Sequence, residues 1–110
     1  NGRRREIVIS AKDNKRIAVI LAGAKDAAIA TLREDGWPQV TVVSYVSDGL
    51  ALYFICSDES QKAKNLKRDG RMSVAATLPY DRWSEICGLS MAGIAGMAMA
   101  ATVSAAAAAA

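Results

Sequence analysis

The sequence predicts a mainly β protein, a small antiparallel β-barrel with α-helices, in which a helix separates the third and fourth strands. Two Asp-Gly pairs, Asp35-Gly36 and Asp48-Gly49, are the main evidence, because Asp-Gly readily adopts the positive backbone dihedrals of tight hairpin turns. The pairs separate three runs of residues with β-strand patterns, at 28–33, 39–47 and 50–57. Three strands joined by tight turns form an antiparallel meander, from which a barrel can be closed.

The chain has the size of one domain. Its 110 residues are enough for a single hydrophobic core, and we expect residues 1–104 to form one domain. Residues 105–110 are all alanine, and we do not interpret this tail.

A first helix and two later strands complete the predicted barrel. The helix covers residues 16–25, where apolar residues at i, i+3, i+4 and i+7 share one face: Ile17, Ile20, Leu21 and Ala24. A fourth strand is predicted over 71–78, ended by Pro79. The glycine-interrupted stretch after Trp83 is interpreted as a further strand.

A second helix follows the third strand. We expect it to be capped at Ser57 or Asp58 and to run to about residue 68. Asp58 and Gln61 resemble a capping box, and Gly70 suits the exit from the helix.

The second strand is apolar on both of its faces. One face carries Val40, Val42 and Val46, and the other carries Gln39, Thr41, Val43 and Tyr45. A strand that fills a barrel with one face can meet a ligand or a partner with the other. Because a monomer would leave this apolar face in water, we predict a homodimer.

Composition excludes several classes of enzyme. The chain has no histidine, which removes nucleophile systems that depend on histidine and also histidine-ligated zinc. Cys56 and Cys87 are too few for a thiolate metal site or a disulfide framework, so we expect no metal and a cytoplasmic location. The net charge of +3 is spread along the chain and does not indicate a nucleic-acid partner. The hydropathy pattern predicts no membrane span.

The segment 57–65, SDESQKAKN, outlines a phosphate site at the start of a helix. A helix N-terminus offers unpaired backbone N–H groups, to which Ser57 and Ser60 add hydroxyls and Lys62 and Lys64 add charge. The alternative interpretation is an ordinary capped surface helix, because serine, aspartate and lysine are common in such helices.

The run 30–75 resembles the pyridoxamine 5′-phosphate oxidase-like, FMN-binding split-barrel family in strand order and turn positions. The specific elements are Ser60 with Lys62 two residues later, then Asn-Leu and Arg-Asp-Gly-Arg before the next strand. This resemblance implies a split barrel, FMN as cofactor and a flavin-dependent oxidoreductase that acts on a small-molecule substrate. It also implies a homodimer with the cofactor at the subunit interface.

The same resemblance implies which residues hold the cofactor. The flavin ring and ribityl chain would lie along Gln39, Val40, Thr41, Val42, Val43 and Ser44. Ile55 and Cys56 would continue that wall, and Ser60, Gln61 and Lys62 would hold the phosphate. Two positions depart from the family pattern, because Gln39 stands where a basic or histidine residue is common and Cys56 where a small hydroxyl residue is usual.

Two other functions remain open. A deazaflavin-dependent reductase of the same fold would use the same basic helix start for its longer anionic cofactor. A dimeric barrel that binds a ligand without catalysis would keep the fold and the apolar outer face but would take up no flavin.

Overall fold

Two helices and seven strands make up the part of the chain described by the computed structural model, which is residues 10–97 and 101–106, with side chains over 10–96. The helices are α1 (Ala11–Gly23) and α2 (Gln61–Arg68). The strands are β1 (Asp26–Leu32), β2 (Pro38–Ser44), β3 (Val46–Asp48), β4 (Ala51–Phe54), β5 (Arg71–Thr77), β6 (Gly88–Met97) and β7 (Ala101–Ala106).

The strands form one antiparallel sheet in the order β2-β1-β5-β6-β7-β4-β3. β2 and β3 lie at the two ends of this order, yet only Tyr45 separates them in the chain. The two edges of the sheet therefore meet at Tyr45, and the sheet curls into a barrel. The predicted fold class is confirmed, and α2 lies between β4 and β5, where the inter-strand helix was expected.

Both predicted hairpin turns are present. Gly36 and Gly49 have φ angles of 84° and 59°, the left-handed conformation that favours glycine at such turns. The strand predicted over 39–47 differs from the structure, because it is interrupted at Tyr45. The residues before Tyr45 pair with β1, and the residues after it pair with β4. The predicted single strand is therefore two strands with different partners.

The core is formed by the inward face of the strands and the inner face of α1. The largest completely buried apolar side chains are Ile17, Leu21, Ile29, Leu52 and Val74. Strict alternation along β5 buries Met72, Val74 and Ala76 and exposes the residues between them.

α1 begins five residues earlier than predicted. Ser10 is its N-cap, and the Ser10 hydroxyl accepts a hydrogen bond of 3.1 Å from the Asp13 backbone N–H. The predicted apolar face is confirmed, since Ile17, Ile20 and Leu21 are buried. The helix packs on β3, β5 and β6.

α2 is not capped by Ser57 or Asp58; it begins later, at Gln61, and the predicted capping box is absent. Ser57 accepts a hydrogen bond of 3.0 Å at its carbonyl from the Ser60 N–H, which closes a separate turn before the helix. Ser60 is the N-cap, with its hydroxyl 3.3 Å from the Ala63 backbone nitrogen. Asp58 instead forms an ion pair of 3.3 Å with Lys67.

Gly70 follows α2 as predicted. Its backbone does not have a positive φ, and glycine is needed there because a side chain would not fit. A Cβ atom at Gly70 would lie 2.9 Å from the carbonyl oxygen of Ala95, whose N–H donates to the Gly70 carbonyl at 2.8 Å. The same turn is bridged by Arg71, which forms a two-point contact with Asp69 at 2.7 and 3.0 Å. These hydrogen bonds lower the pKa of Asp69 to about 2.

The later strands agree with the sequence. β5 ends one residue before the predicted boundary, and β6 confirms the strand expected after Trp83. β7 extends into the alanine run and pairs with β4 and β6. Among the described residues, no helix is long and apolar enough to cross a membrane.

Tyr45→Phe should lower the free energy of unfolding. The Tyr45 hydroxyl donates a 2.8 Å hydrogen bond to the carbonyl of Leu21 in the last turn of α1. Removing such a bond costs about 0.5–1.5 kcal/mol. Urea unfolding followed by circular dichroism measures the difference.

The pH dependence of that difference provides its control. Burial, and then the charge of Asp26, raise the pKa of Tyr45 above its usual value of about 10. A raised pKa means that the folded state favours the protonated hydroxyl. The stabilisation by Tyr45 is therefore complete below the usual tyrosine pKa, and it is lost as the pH rises through the pKa of Tyr45 in the folded protein. If the difference in free energy of unfolding between parent and variant stayed constant from neutral to strongly alkaline pH, the Tyr45 hydroxyl would not be the stabilising group.

Candidate functional site

An open groove of about 780 Å³ lies where β2 passes into β3, facing the end of β4 and the start of α2. We call it the β2–α2 groove. Its lining residues are Val42, Val43, Ser44, Tyr45, Val46, Tyr53, Phe54, Ile55, Cys56, Ser57, Ser60 and Lys62. A groove of this size is in the range that holds a cofactor-sized molecule.

The walls of the β2–α2 groove are mostly apolar and open to solvent. Val42 is 70% exposed and Ile55 is 87% exposed, although both are large hydrophobic residues. Val46 and Tyr53 lie directly opposite each other in the β3–β4 pair and extend the same wall. Exposed apolar side chains that share one cleft indicate a surface adapted to cover a flat apolar ligand or a partner.

β2 brings an unpaired backbone edge to the groove. Among the described strands β2 pairs only with β1, so its other edge carries N–H and C=O groups without a ladder partner. A strand edge of this kind can donate to and accept from the polar rim of a ligand. Of the residues expected to make backbone contacts, Val42 and Val43 line the groove and Thr41 does not.

The N-terminus of α2 supplies the positive end of the groove. The backbone N–H of Ala63 donates to the Ser60 hydroxyl, and the N–H of Lys64 donates to the Ser60 carbonyl. The backbone N–H groups of Gln61 and Lys62 therefore remain available to an external acceptor. The half-buried Lys62 adds a full charge on the groove side. The Ser60 hydroxyl donates its proton to the Ser57 carbonyl at 2.6 Å, so Lys62 and the backbone are better placed than Ser60 to bind an anion.

A polar cluster centred on the buried Asn65 lies behind the start of α2. Asn65 donates through its side-chain amide to Thr31 Oγ1 and to Gln39 Oε1, both at 3.0 Å. The Asn65 side-chain oxygen accepts a 2.8 Å hydrogen bond from Gln61 Nε2. We call these four residues the Asn65 cluster. It turns the side chains of Gln39 and Gln61 away from the groove.

The groove brings together seven of the residues expected from the sequence: Val42, Val43, Ser44, Ile55, Cys56, Ser60 and Lys62. Gln39, Val40, Thr41 and Gln61 do not line it. Val40 points outward and is 65% exposed, whereas Thr41 lies on the opposite face with its hydroxyl oxygen buried and without a partner. Cys56 is a half-buried free thiol in the groove wall.

Two groups of residues were not expected. Tyr45 and Val46 line the groove where the strand is interrupted, and no glycine or proline marks that interruption. Tyr53 and Phe54 line it from β4. Asn65 was noticed only within an Asn-Leu pair. The sequence carries no signal for its role, because its burial and its hydrogen-bond partners follow from the packing of α2 on β1 and β2.

The comparison with family models identifies the class. The model described as pyridoxamine 5′-phosphate oxidase matches residues 13–107, and the chain belongs to this family. Among curated proteins, none matches the chain at the level required for a relative.

Solved structures share the fold. A conserved hypothetical protein of Mycobacterium tuberculosis is 32% identical with a TM-score of 0.68, covering 87% of this chain and 57% of that protein. A heme binding protein of Mycobacterium smegmatis is 27% identical with a TM-score of 0.67, covering 82% of this chain and 37% of that one. An F420 reductase is 18% identical with a TM-score of 0.68, and the match covers 83% of this chain and 92% of that protein. The chain thus spans little more than half of the first protein and well under half of the second.

Proposed function

We propose that the chain is an FMN-binding flavoprotein and an oxidoreductase, with FMN held in the β2–α2 groove. The observation that carries this proposal is the meeting of three features in one groove: apolar walls, the unpaired edge of β2 and the basic N-terminus of α2. A flavin ring requires the first two features, and its phosphate requires the third. Membership of the pyridoxamine 5′-phosphate oxidase family supports the same assignment.

Different residues of the groove would bind the phosphate, the polar rim and the faces of the flavin ring. Lys62 and the free N–H groups at the start of α2 would hold the phosphate, and the edge of β2 would meet the polar rim of the ring. Val42 and Ile55 would cover the ring and exclude water from it. Bound FMN supplies hydride or electron transfer, while the protein supplies orientation and hydrogen bonds. A small-molecule substrate would approach from the open side of the groove.

The absorbance of the purified protein distinguishes FMN from the alternatives. A deazaflavin would use the same basic helix start for its anionic tail, and one relative that shares the fold is an F420 reductase. Another relative is a heme binding protein, and bound haem would add an intense Soret band. A colourless protein that takes up no flavin on titration would favour a barrel that binds a ligand without redox chemistry.

The protein is also proposed to be a homodimer with the cofactor at the subunit interface. On the outer face of the sheet, Val40 and Val42 lie beside Ala30 and Ala28 of β1 in the strand register. The same face continues through Ser73 and Ala75 on β5, and through Ala92 and Ser90 on β6. A flat outer face of small residues with exposed valines beside the groove suits a symmetric contact with a second copy.

A cytoplasmic location belongs to the same proposal. Cys56 and Cys87 are both free thiols, which a reducing compartment maintains.

FMN should bind much more tightly than riboflavin, which has the same ring without the phosphate. Loss of charge-assisted hydrogen bonds costs about 1.5–3 kcal/mol, or roughly tenfold to a hundredfold in affinity. Higher ionic strength should narrow the difference, because the contacts at the start of α2 are partly open to solvent. Fluorescence titrations of both flavins at low and high salt test this, and equal affinities at both salt concentrations would remove the phosphate from the site.

Lys62→Ala should weaken FMN binding without unfolding the protein. The charge of Lys62 lies in the groove, and a half-buried lysine on a short surface helix contributes little to the fold. We expect a loss of roughly tenfold to a hundredfold in FMN affinity and almost no change for riboflavin.

The matched control is Lys64→Ala. Lys64 lies on the same helix and carries the same charge, but it is exposed and does not line the groove. If the two variants weaken FMN equally, general electrostatic attraction explains the effect and Lys62 has no specific contact.

Val40→Asp should dissociate the homodimer and weaken FMN binding with it. The substitution places a charge on the outer face of β2, at a position that does not line the groove. Val19→Asp is the control, because Val19 is 63% exposed on α1, compared with 65% for Val40. Sedimentation velocity at micromolar concentration measures both. A parent protein that sediments as a stable monomer would refute the dimer.

A further inference from the structure

Asn65 has the most constrained polar side chain among the described residues. It is 0% exposed and lies one helical turn after Lys62, on the side of α2 that faces the barrel. Its amide group donates both of its N–H hydrogens and accepts one hydrogen bond, all between 2.8 and 3.0 Å. A buried amide with this many partners is held in one orientation.

The partners of Asn65 connect α2 to two strands at once. Thr31 on β1 and Gln39 on β2 are directly opposite each other in the strand register, and Asn65 donates to both. These two hydrogen bonds fix the position of α2 relative to Thr31 and Gln39. A slip of one residue between β1 and β2 would separate this pair and break the contact.

The third partner, Gln61, is the first residue of α2. The hydrogen bond from Gln61 Nε2 to Asn65 Oδ1 joins that residue to the buried amide one turn later. The free N–H groups of Gln61 and Lys62 belong to the same turn. The direction of these groups therefore depends on the Asn65 cluster.

Apart from the Asn65 cluster, the described hydrogen bonds at the N-terminus of α2 are local ones between Ser57, Ser60 and the first turn, and they do not attach the helix to the strands. The helix has eight residues, a length at which an isolated helix is not stable. Its buried apolar side chains are Ala63 and Leu66. A second anchor, in which Arg68 Nη2 donates to the Leu32 carbonyl, lies at the opposite end of the helix.

We propose that Asn65 is a positioning residue that sets the selectivity of the groove for a phosphorylated ligand over the same ligand without phosphate. Asn65 does not touch the ligand. It acts by holding the first turn of α2, with its two free N–H groups and Lys62, at the angle that meets the phosphate. This inference rests on the proposed function, because it requires the phosphate to bind at the start of α2.

The test compares FMN and riboflavin affinities in the parent and in Asn65→Leu, which keeps a similar volume and removes all three hydrogen bonds. We expect the preference for FMN over riboflavin to fall about tenfold, while riboflavin affinity changes by less than about twofold. A merely structural residue would weaken both flavins together and leave their ratio unchanged. That outcome would overturn the proposal.

Arg68→Met is the matched control, because it removes the anchor at the other end of α2. Arg68→Met should lower the melting temperature, and the ratio of FMN affinity to riboflavin affinity should stay the same as in the parent. If Arg68→Met reduces the ratio as much as Asn65→Leu does, any loosening of α2 has the same effect and Asn65 has no special role.

Gln61→Met keeps the proposal testable if Asn65→Leu does not fold. Gln61 is exposed, and the variant removes only the bond between the first turn and Asn65 while the backbone N–H stays. A reduced FMN preference with unchanged riboflavin affinity supports the proposal, and an unchanged preference refutes it. If the parent itself does not prefer FMN, the phosphate site of the proposed function fails, and this inference fails with it.

Discussion

The change of hydrogen-bond partner at Tyr45 is the constraint on which the rest of the structure depends. Up to Ser44 the chain pairs with β1, and from Val46 it pairs with β4, so one residue joins the two ends of the sheet order. Closure at this point leaves the outer edge of β2 unpaired and creates the cleft beside it. The Tyr45 hydroxyl also attaches the end of α1 to the same point, through the carbonyl of Leu21. Barrel closure, helix docking and the groove thus share one local cause.

The groove departs from the rules that stabilise the rest of the chain, as functional sites often do. Inward positions of the strands are buried in regular alternation, whereas Val42 and Ile55 are large apolar residues left in solvent. At the start of α2, a lysine is half-buried where opposite charge is absent from the groove lining. Both departures lower stability in the isolated chain, and both would be compensated by one ligand that has an apolar ring and an anionic end.

Local signals in the sequence were sufficient for most of the fold. The two Asp-Gly pairs identified both hairpins, and apolar spacing identified the buried face of α1. The bend at Tyr45 could not be predicted, because it results from pairing with β4, far from any local turn signal. The start of α2 was misplaced because Ser57, Asp58 and Ser60 are all good N-caps, and only the hydrogen bond from Ser60 to Ser57 selects among them. For the site, the family resemblance indicated residues along β2 and after β4, and seven of the expected residues line the groove. The side chains of Gln39 and Gln61 are directed to Asn65 by hydrogen bonds that the sequence does not reveal.

The unpaired edge of β2 also bears on the solubility of the chain. Residues 39–44, QVTVVS, carry no charge and are rich in β-branched side chains, and they lie along an edge that no described strand covers. Such an edge is a template for intermolecular strand pairing, which many proteins block with a lysine, a proline or a bulge. Here the molecule that occupies the groove would also shield the edge. If the proposed ligand were lost, the exposed edge would favour aggregation of the chain, so ligand binding and solubility would fail together.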